Sequence, residues 1–245
     1  MHHGLLRSSL ACILPAGLTV GVIAQLCTIH LALEPAYLAK SVAVFAAGAA
    51  VVLIGLPRHH PFATFGAANQ VTVVRGMLVA LLAGLIGERS DTCAPVLAVV
   101  LGTIVAVLDG LDGWLARRSR MASPFGARFD METDAALILV LAVLAWLFGK
   151  AGLWVLSCGL LRYVFVGASV LLPWLRTALP PSERRRAIAV VQMVALIIAV
   201  TPMVPAALSA PAAAIGLTAL SLSFLLDIVW LFQNATQARA SVSPQ

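Results

Sequence analysis

LDGLDGWLARRSRMASPFGARFDMETD, Leu108 to Asp134, holds four of the six aspartates of a 245-residue chain. The sequence on either side is mostly Ala, Leu, Val and Ile. An ionised carboxylate in hydrocarbon costs several kcal/mol or more unless it is compensated. Four acids gathered in so apolar a setting therefore need a reason, and the reason decides the fold and the chemistry together.

Composition sets the solvent. The chain is 61% hydrophobic and 11% charged, with a mean hydropathy of +1.01. Soluble domains carry about 25% charged residues, so lipid must surround much of this protein. A helix crossing about 30 Å of hydrocarbon needs about 20 apolar residues. Eight such runs occur, near 9–28, 38–56, 71–88, 92–116, 130–149, 151–175, 187–206 and 211–232. Helices are required because lipid offers backbone groups no partners, and the alternation of barrel strands is absent. The expected fold is an all-α integral membrane protein of about eight transmembrane helices. Residues 1–65 read as a two-helix extension with a connecting loop, 66–234 as a six-helix core, and 235–245 as a disordered cytoplasmic tail.

The net charge of +6 fits cytoplasmic loops better than nucleic acid, for which no aromatic-plus-basic motif is present. If every run crosses the membrane, twelve basic residues fall on the side of the termini and only Lys40, Arg89 and Lys150 on the other; Arg162 lies within a span. That asymmetry puts both termini and the aspartates on the cytoplasmic side. Cys12, Cys27, Cys93 and Cys158 lie apart in apolar stretches and read as small hydrophobes, since no CxxC pair suggests zinc or redox work.

At 100° per residue, Asp109, Asp112, Gly113 and Ala116 share an arc of about 100° on one helix, and Gly126, Asp130 and Asp134 an arc of about 80° on the next. A short loop near 118–125 lets the two stripes face each other. Like charges this close raise each other's pKa, so either protons or divalent cations must relieve them. Oxygen-rich sets suit Mg²⁺ or Mn²⁺, which keep open positions for water and phosphate. Gly113 and Gly126 would allow close approach of a ligand or backbone, and Arg117 offers donors suited to phosphate. Taken singly, these features could be interfacial acids, helix-packing glycines and positive-inside charge; together they describe a diphosphate site.

In order, the stretch reads D-x2-D-G-x2-A-R-x8-G-x3-D-x3-D, with Asp109, Asp112, Gly113, Ala116, Arg117, Gly126, Asp130 and Asp134 in the defined places. It resembles the signature of the CDP-alcohol phosphotransferases, and the likeness extends over roughly 66–232. The resemblance implies a two-metal site with Asp109, Asp112 and Asp130 as ligands and Asp134 as ligand and general base. It also implies that Gly113, Ala116 and Gly126 admit the CDP moiety, with Arg117 near its phosphates. Members transfer a phosphatidyl or similar group from a CDP-linked donor to an alcohol and release CMP, and dimers are common among them. A second, weaker likeness is the N-x-x-T-x-x-R pattern of the first core helix, here Asn69, Thr72 and Arg75. It suggests a nucleotide-facing role, against a helix cap followed by a snorkelling arginine.

Arg162, within a span, could meet an acceptor phosphate or a nearby carboxylate. Arg184 and Arg186 could attract a phosphorylated acceptor or anionic lipid, and Asp227 is expected to be structurally paired. A magnesium-dependent prenyltransferase fits less well, because its further Asp, four residues after the second, is Ala116 here. A metal or proton transporter would place its acids nearer the midplane.

Overall fold

The computed structural model describes residues 2–59, 61, 62, 64–89, 93–119, 123–177, 179, 180 and 182–240, and side chains at most but not all of them. Among these residues every regular element is helical: α1 His2–His30, α2 Ala36–His59, α3 Ala67–Gly84, α4 Ala94–Ser119, α5 Pro124–Leu147, α6 Ser157–Leu171, α7 Glu183–Val200 and α8 Ala206–Ala240. The eight expected helices are therefore present. Five are long and apolar enough to cross a membrane: α1, α2, α3, α6 with its preceding turn, and α8. In α4 the apolar stretch is shorter, Ala94–Gly110. The first turns of α5 carry Arg128, Asp130, Glu132 and Asp134, and α7 opens on Glu183 and three arginines.

Helix ends follow local chemistry more than hydropathy. α5 begins six residues before its apolar run, because Pro124 stands at the first turn and the Ser123 hydroxyl accepts a hydrogen bond from the Gly126 amide at 3.0 Å. Proline needs no amide donor there, and a serine cap satisfies one that would otherwise be orphaned. The expected 151–175 span is divided. A 3-10 turn, Leu153–Leu156, precedes α6, and α6 stops at Leu171 before Pro173. Leu172 is extended (φ −117°, ψ 91°), as the residue before a proline prefers. At the far end of the chain α8 continues to Ala240, beyond the expected start of the tail.

The most buried helix is α3. Its residues from Met77 to Gly84 are all buried, and it packs against α1, α2, α4 and α5. By contrast α4 and α5 make little contact with each other. The side chain best placed to link the two acidic helices must therefore come from α3. On its other flank α3 receives the extension. Tyr37, fully buried, donates its hydroxyl to the Leu81 carbonyl at 3.0 Å, and Lys40 donates to the Ile86 carbonyl at 2.7 Å. Gly84 sits so close to Ser41 and Tyr37 that a Cβ there would collide with both. The outer face of α1, with Leu14, Leu18, Val22 and Ile29 exposed, has no polar cover and suits a lipid environment.

Past α5, Gly149 takes a left-handed φ of 68°, which glycine adopts at little cost. Lys150 then donates to the carbonyls of Thr201 (3.0 Å), Pro202 (3.2 Å) and Val204 (2.6 Å). A lysine at the exposed carbonyls of a helix C-terminus satisfies acceptors and complements the dipole. Through this contact α5 is tied to the end of α7 opposite the acids.

Candidate metal and phosphate site

Three helices contribute. From α3 come Asn69, Thr72 and Arg75, each three residues on from the last and all buried. Helical spacing puts them on one side of α3, and no acid lies on that helix to pair with the arginine. Asp109 comes from α4, and Asp130 and Asp134, one turn apart, from α5.

One acid of the α4 stripe, Asp109, meets both acids of the α5 stripe, as the short connection between the helices allows. Asp109, Asp130 and Asp134 can each offer an oxygen such that all lie within 4.8 Å of one another. Arg75 sits among them. Its Nη2 is 2.9 Å from Asp109 Oδ1 and also donates to Asp134 Oδ1, while Nη1 donates to Asp130 Oδ1. Its side chain is wholly buried, whereas the carboxylates remain partly open. The snorkelling alternative for Arg75 is therefore wrong. The guanidinium points inward because three carboxylates hold it there, and it does not belong among the loop cations of the charge count.

One guanidinium facing three carboxylates leaves an excess of negative charge in an apolar surrounding. Like charges this close disfavour one another even where partly open to solvent, and a divalent cation would redress this imbalance. The donor set fits such an ion: all-oxygen, anionic, and spaced on the scale of a site with bonds of about 2.0–2.1 Å for Mg²⁺. The crowding also depends on Gly126. A Cβ at that position would lie 2.9 Å from Asn69 Oδ1 and 3.2 Å from Ser123 Oγ. Glycine there lets α5 close on α3 beside Asn69, whose own amide donates to the Phe65 carbonyl. Thr72 turns its hydroxyl back to the Ala68 carbonyl at 3.1 Å.

Asp112, Gly113, Ala116 and Arg117 lie on the continuous α4, with side chains outside the described residues. Arg162, Arg184 and Arg186 are engaged elsewhere. Arg162 Nη2 pairs with Glu132 Oε1 at 2.5 Å, which is the carboxylate option for that residue. Arg184 and Arg185 both pair with Asp227, at 2.6 and 3.2 Å. Arg186 pairs with Glu183 on an exposed surface. Sequence reasoning underrated Arg75. The available signal was an arginine in an apolar helix with no acid on the same helix, in register with Asn69 and Thr72.

The family model for CDP-alcohol phosphatidyltransferase matches residues 65–232, which takes in α3 to α8 up to Phe232 and all three helices of the site. No curated protein and no solved structure matches the chain.

Proposed function

The chain belongs to the CDP-alcohol phosphatidyltransferase family, and we propose that it moves a phosphatidyl or similar phosphoalcohol group from a CDP-linked lipid such as CDP-diacylglycerol to an alcohol acceptor. The family implies phosphatidyl transfer from a CDP-alcohol by a membrane transferase. The donor's lipid nature and the use of a pair of Mg²⁺ or Mn²⁺ ions are the finer parts of the proposal. The observation that carries it is the convergence of Asp109, Asp130 and Asp134 from two helices around Arg75.

In this reading Asp109, Asp112, Asp130 and Asp134 hold the ions. Bound divalent ions polarise the diphosphate and stabilise departing CMP. Asp134 takes the proton of the acceptor hydroxyl as its oxygen attacks the phosphorus that carries the lipid alcohol. A new P–O bond forms, the P–O bond to CMP breaks, and CMP leaves with the bridging oxygen. Gly113, Ala116 and Gly126 leave room for the nucleotide, Arg117 contacts its phosphates, and Asn69 and Thr72 line the nucleotide side. Arg75 keeps the carboxylates gathered and offsets part of their repulsion. Arg162, Arg184 and Arg186 are the basic groups available to an acceptor phosphate, each after yielding its present carboxylate. Residues 1–65 form the extension, 66–234 the catalytic core, and the active site and both termini face the cytoplasm, on the strength of the basic-residue asymmetry.

The test is CMP release by purified protein given CDP-diacylglycerol, Mg²⁺ or Mn²⁺, and a panel of acceptors: glycerol phosphate, inositol phosphate, serine and choline. Release that needs both metal and one acceptor supports the proposal. Ion flux through proteoliposomes, with no CMP under any condition, would overturn it.

A further inference from the structure

A second site lies on the other side of α3 and α5. A groove of about 620 Å³ runs between α2 on one wall and α3, α5 and α6 on the other. That volume lies within the range of small-molecule sites, about 300–1,000 Å³. Its α2 wall extends from Val44 to Gly55, about 16 Å at the helical rise. Its lining is overwhelmingly apolar, and two glycines keep it open: a Cβ added at Gly48 or Gly76 would meet nothing within 4 Å. On α5 it is lined by Pro124, Phe125, Arg128, Phe129, Glu132, Thr133 and Ala136, and by none of the aspartates. Phe125 and Arg128 are turned well over 100° from Asp130 by helical geometry. The groove is thus a different place from the aspartate centre.

The polar end is specific. Arg128, one turn into α5, is exposed and has no ion-pair or hydrogen-bond partner among the described residues, whereas Glu132 beside it is already held by Arg162. Gly55, near the end of α2, lies against Phe125 at the start of α5. Arg128 therefore stands at the level of the helix ends, where headgroups lie, with an apolar trough leading away from it along α2. A guanidinium matches phosphate oxygens, and a trough of this length and composition matches an acyl chain.

We propose that this groove binds a bilayer phospholipid, with its phosphate at Arg128 and one acyl chain along Gly48 and Gly76, and that this lipid is not the CDP-linked donor. The α1–α2 extension, which lies outside the family match, supplies one wall of the site and thereby gains a role. The inference is independent of the catalytic reading.

The test uses the purified full-length chain, delipidated stepwise and then titrated with dioleoylphosphatidylglycerol, with bound lipid read by native mass spectrometry. Wild type retains a tightly held lipid. Arg128→Gln weakens its apparent affinity about tenfold or more, the scale of one hydrogen bond to a charged group. Gly48→Leu, whose Cβ meets nothing within 4 Å and whose branches would occupy the trough, also lowers it, and Gly48→Ala, which leaves the trough open, does not. Excess CDP-diacylglycerol leaves the bound lipid in place. Equal retention by wild type and Arg128→Gln, or displacement by CDP-diacylglycerol, would overturn the proposal; should Gly48→Leu fail to fold, those two readings still decide it.

Discussion

Two clusters of charge in this molecule are near mirror images. At the junction of α3, α4 and α5 one arginine, Arg75, serves three carboxylates. At the junction of α7 and α8 one carboxylate, Asp227, serves two arginines. The first guanidinium is wholly buried, while the arginines of the second are about a third exposed. The difference shows what each cluster can tolerate. Excess positive charge at Asp227 is relieved by water and by the surface. The carboxylates around Arg75 are open to solvent to a similar degree, but three of them can bring oxygens within 4.8 Å of one another, a set able to take a cation. Both clusters tie helices together and both carry unbalanced charge, but the first has the ligand atoms to balance it with a metal ion.

The sharpest way to break this comparison is Asp134→Asn. The variant keeps shape and volume but removes the proposed base, and a general base contributes about 10²–10⁴-fold. CMP release should fall by that order while the far-ultraviolet helical signal is unchanged. Near-normal turnover would remove Asp134 from its role.

Arg75→Gln should act first on stability. Removing one partner from a buried ion cluster costs about 3–5 kcal/mol, and here it leaves three carboxylates facing one another. If charge imbalance is the reason, Mn²⁺ should raise the Tm of Arg75→Gln more than that of wild type, and Arg75→Lys should recover part of the loss without metal. A metal-insensitive Tm would show that Arg75 serves only as a packing group.

Gly126→Ala has a smaller expected effect and a more diagnostic one. Alanine is favoured over glycine in a helix by about 1 kcal/mol, yet the new methyl would crowd the Asn69 amide. The variant should fold and turn over more slowly. A double-mutant cycle with Asn69→Ala separates two explanations. If clearance of Asn69 is the whole function of Gly126, the double variant will match Asn69→Ala alone. An additional loss would point to direct contact between Gly126 and the nucleotide.

The weakest effect is expected at the mirror-image cluster. Asp227→Asn removes a buried carboxylate charge but leaves an amide oxygen that can still accept from two arginines about a third exposed, so it should cost less than the loss of fully buried Arg75. Its Tm and metal response should stay close to wild type. A drop as large as that of Arg75→Gln would dissolve the distinction between the two clusters.

Much of this was legible because it is periodic. Apolar runs of membrane length announced all eight helices, and the offsets of Asp109, Asp130 and Asp134 placed the acids on two stripes that do converge. Helix ends were less legible to hydropathy, because charge in the first turns of α5 masks a helix that Ser123 and Pro124 start earlier. The interruption before Pro173 is a proline effect hidden inside an apolar run. What periodicity could not reveal was partnership across the chain. Arg75 meets acids 34 or more positions away, and α3 packs against both α4 and α5 and so links them. The same applies to Gly126, whose spacing marked it as special but whose neighbour, Asn69, lies on another helix.

The central claim is that the converging aspartates hold divalent ions. Titration of the purified chain with Mn²⁺, read by electron paramagnetic resonance, tests it directly. Wild type should take up a pair of ions per chain, with uptake sharply reduced in Asp109→Asn and Asp130→Asn. Uptake by those two variants indistinguishable from wild type, or CMP release by wild type that persists with no bound ion, would contradict it.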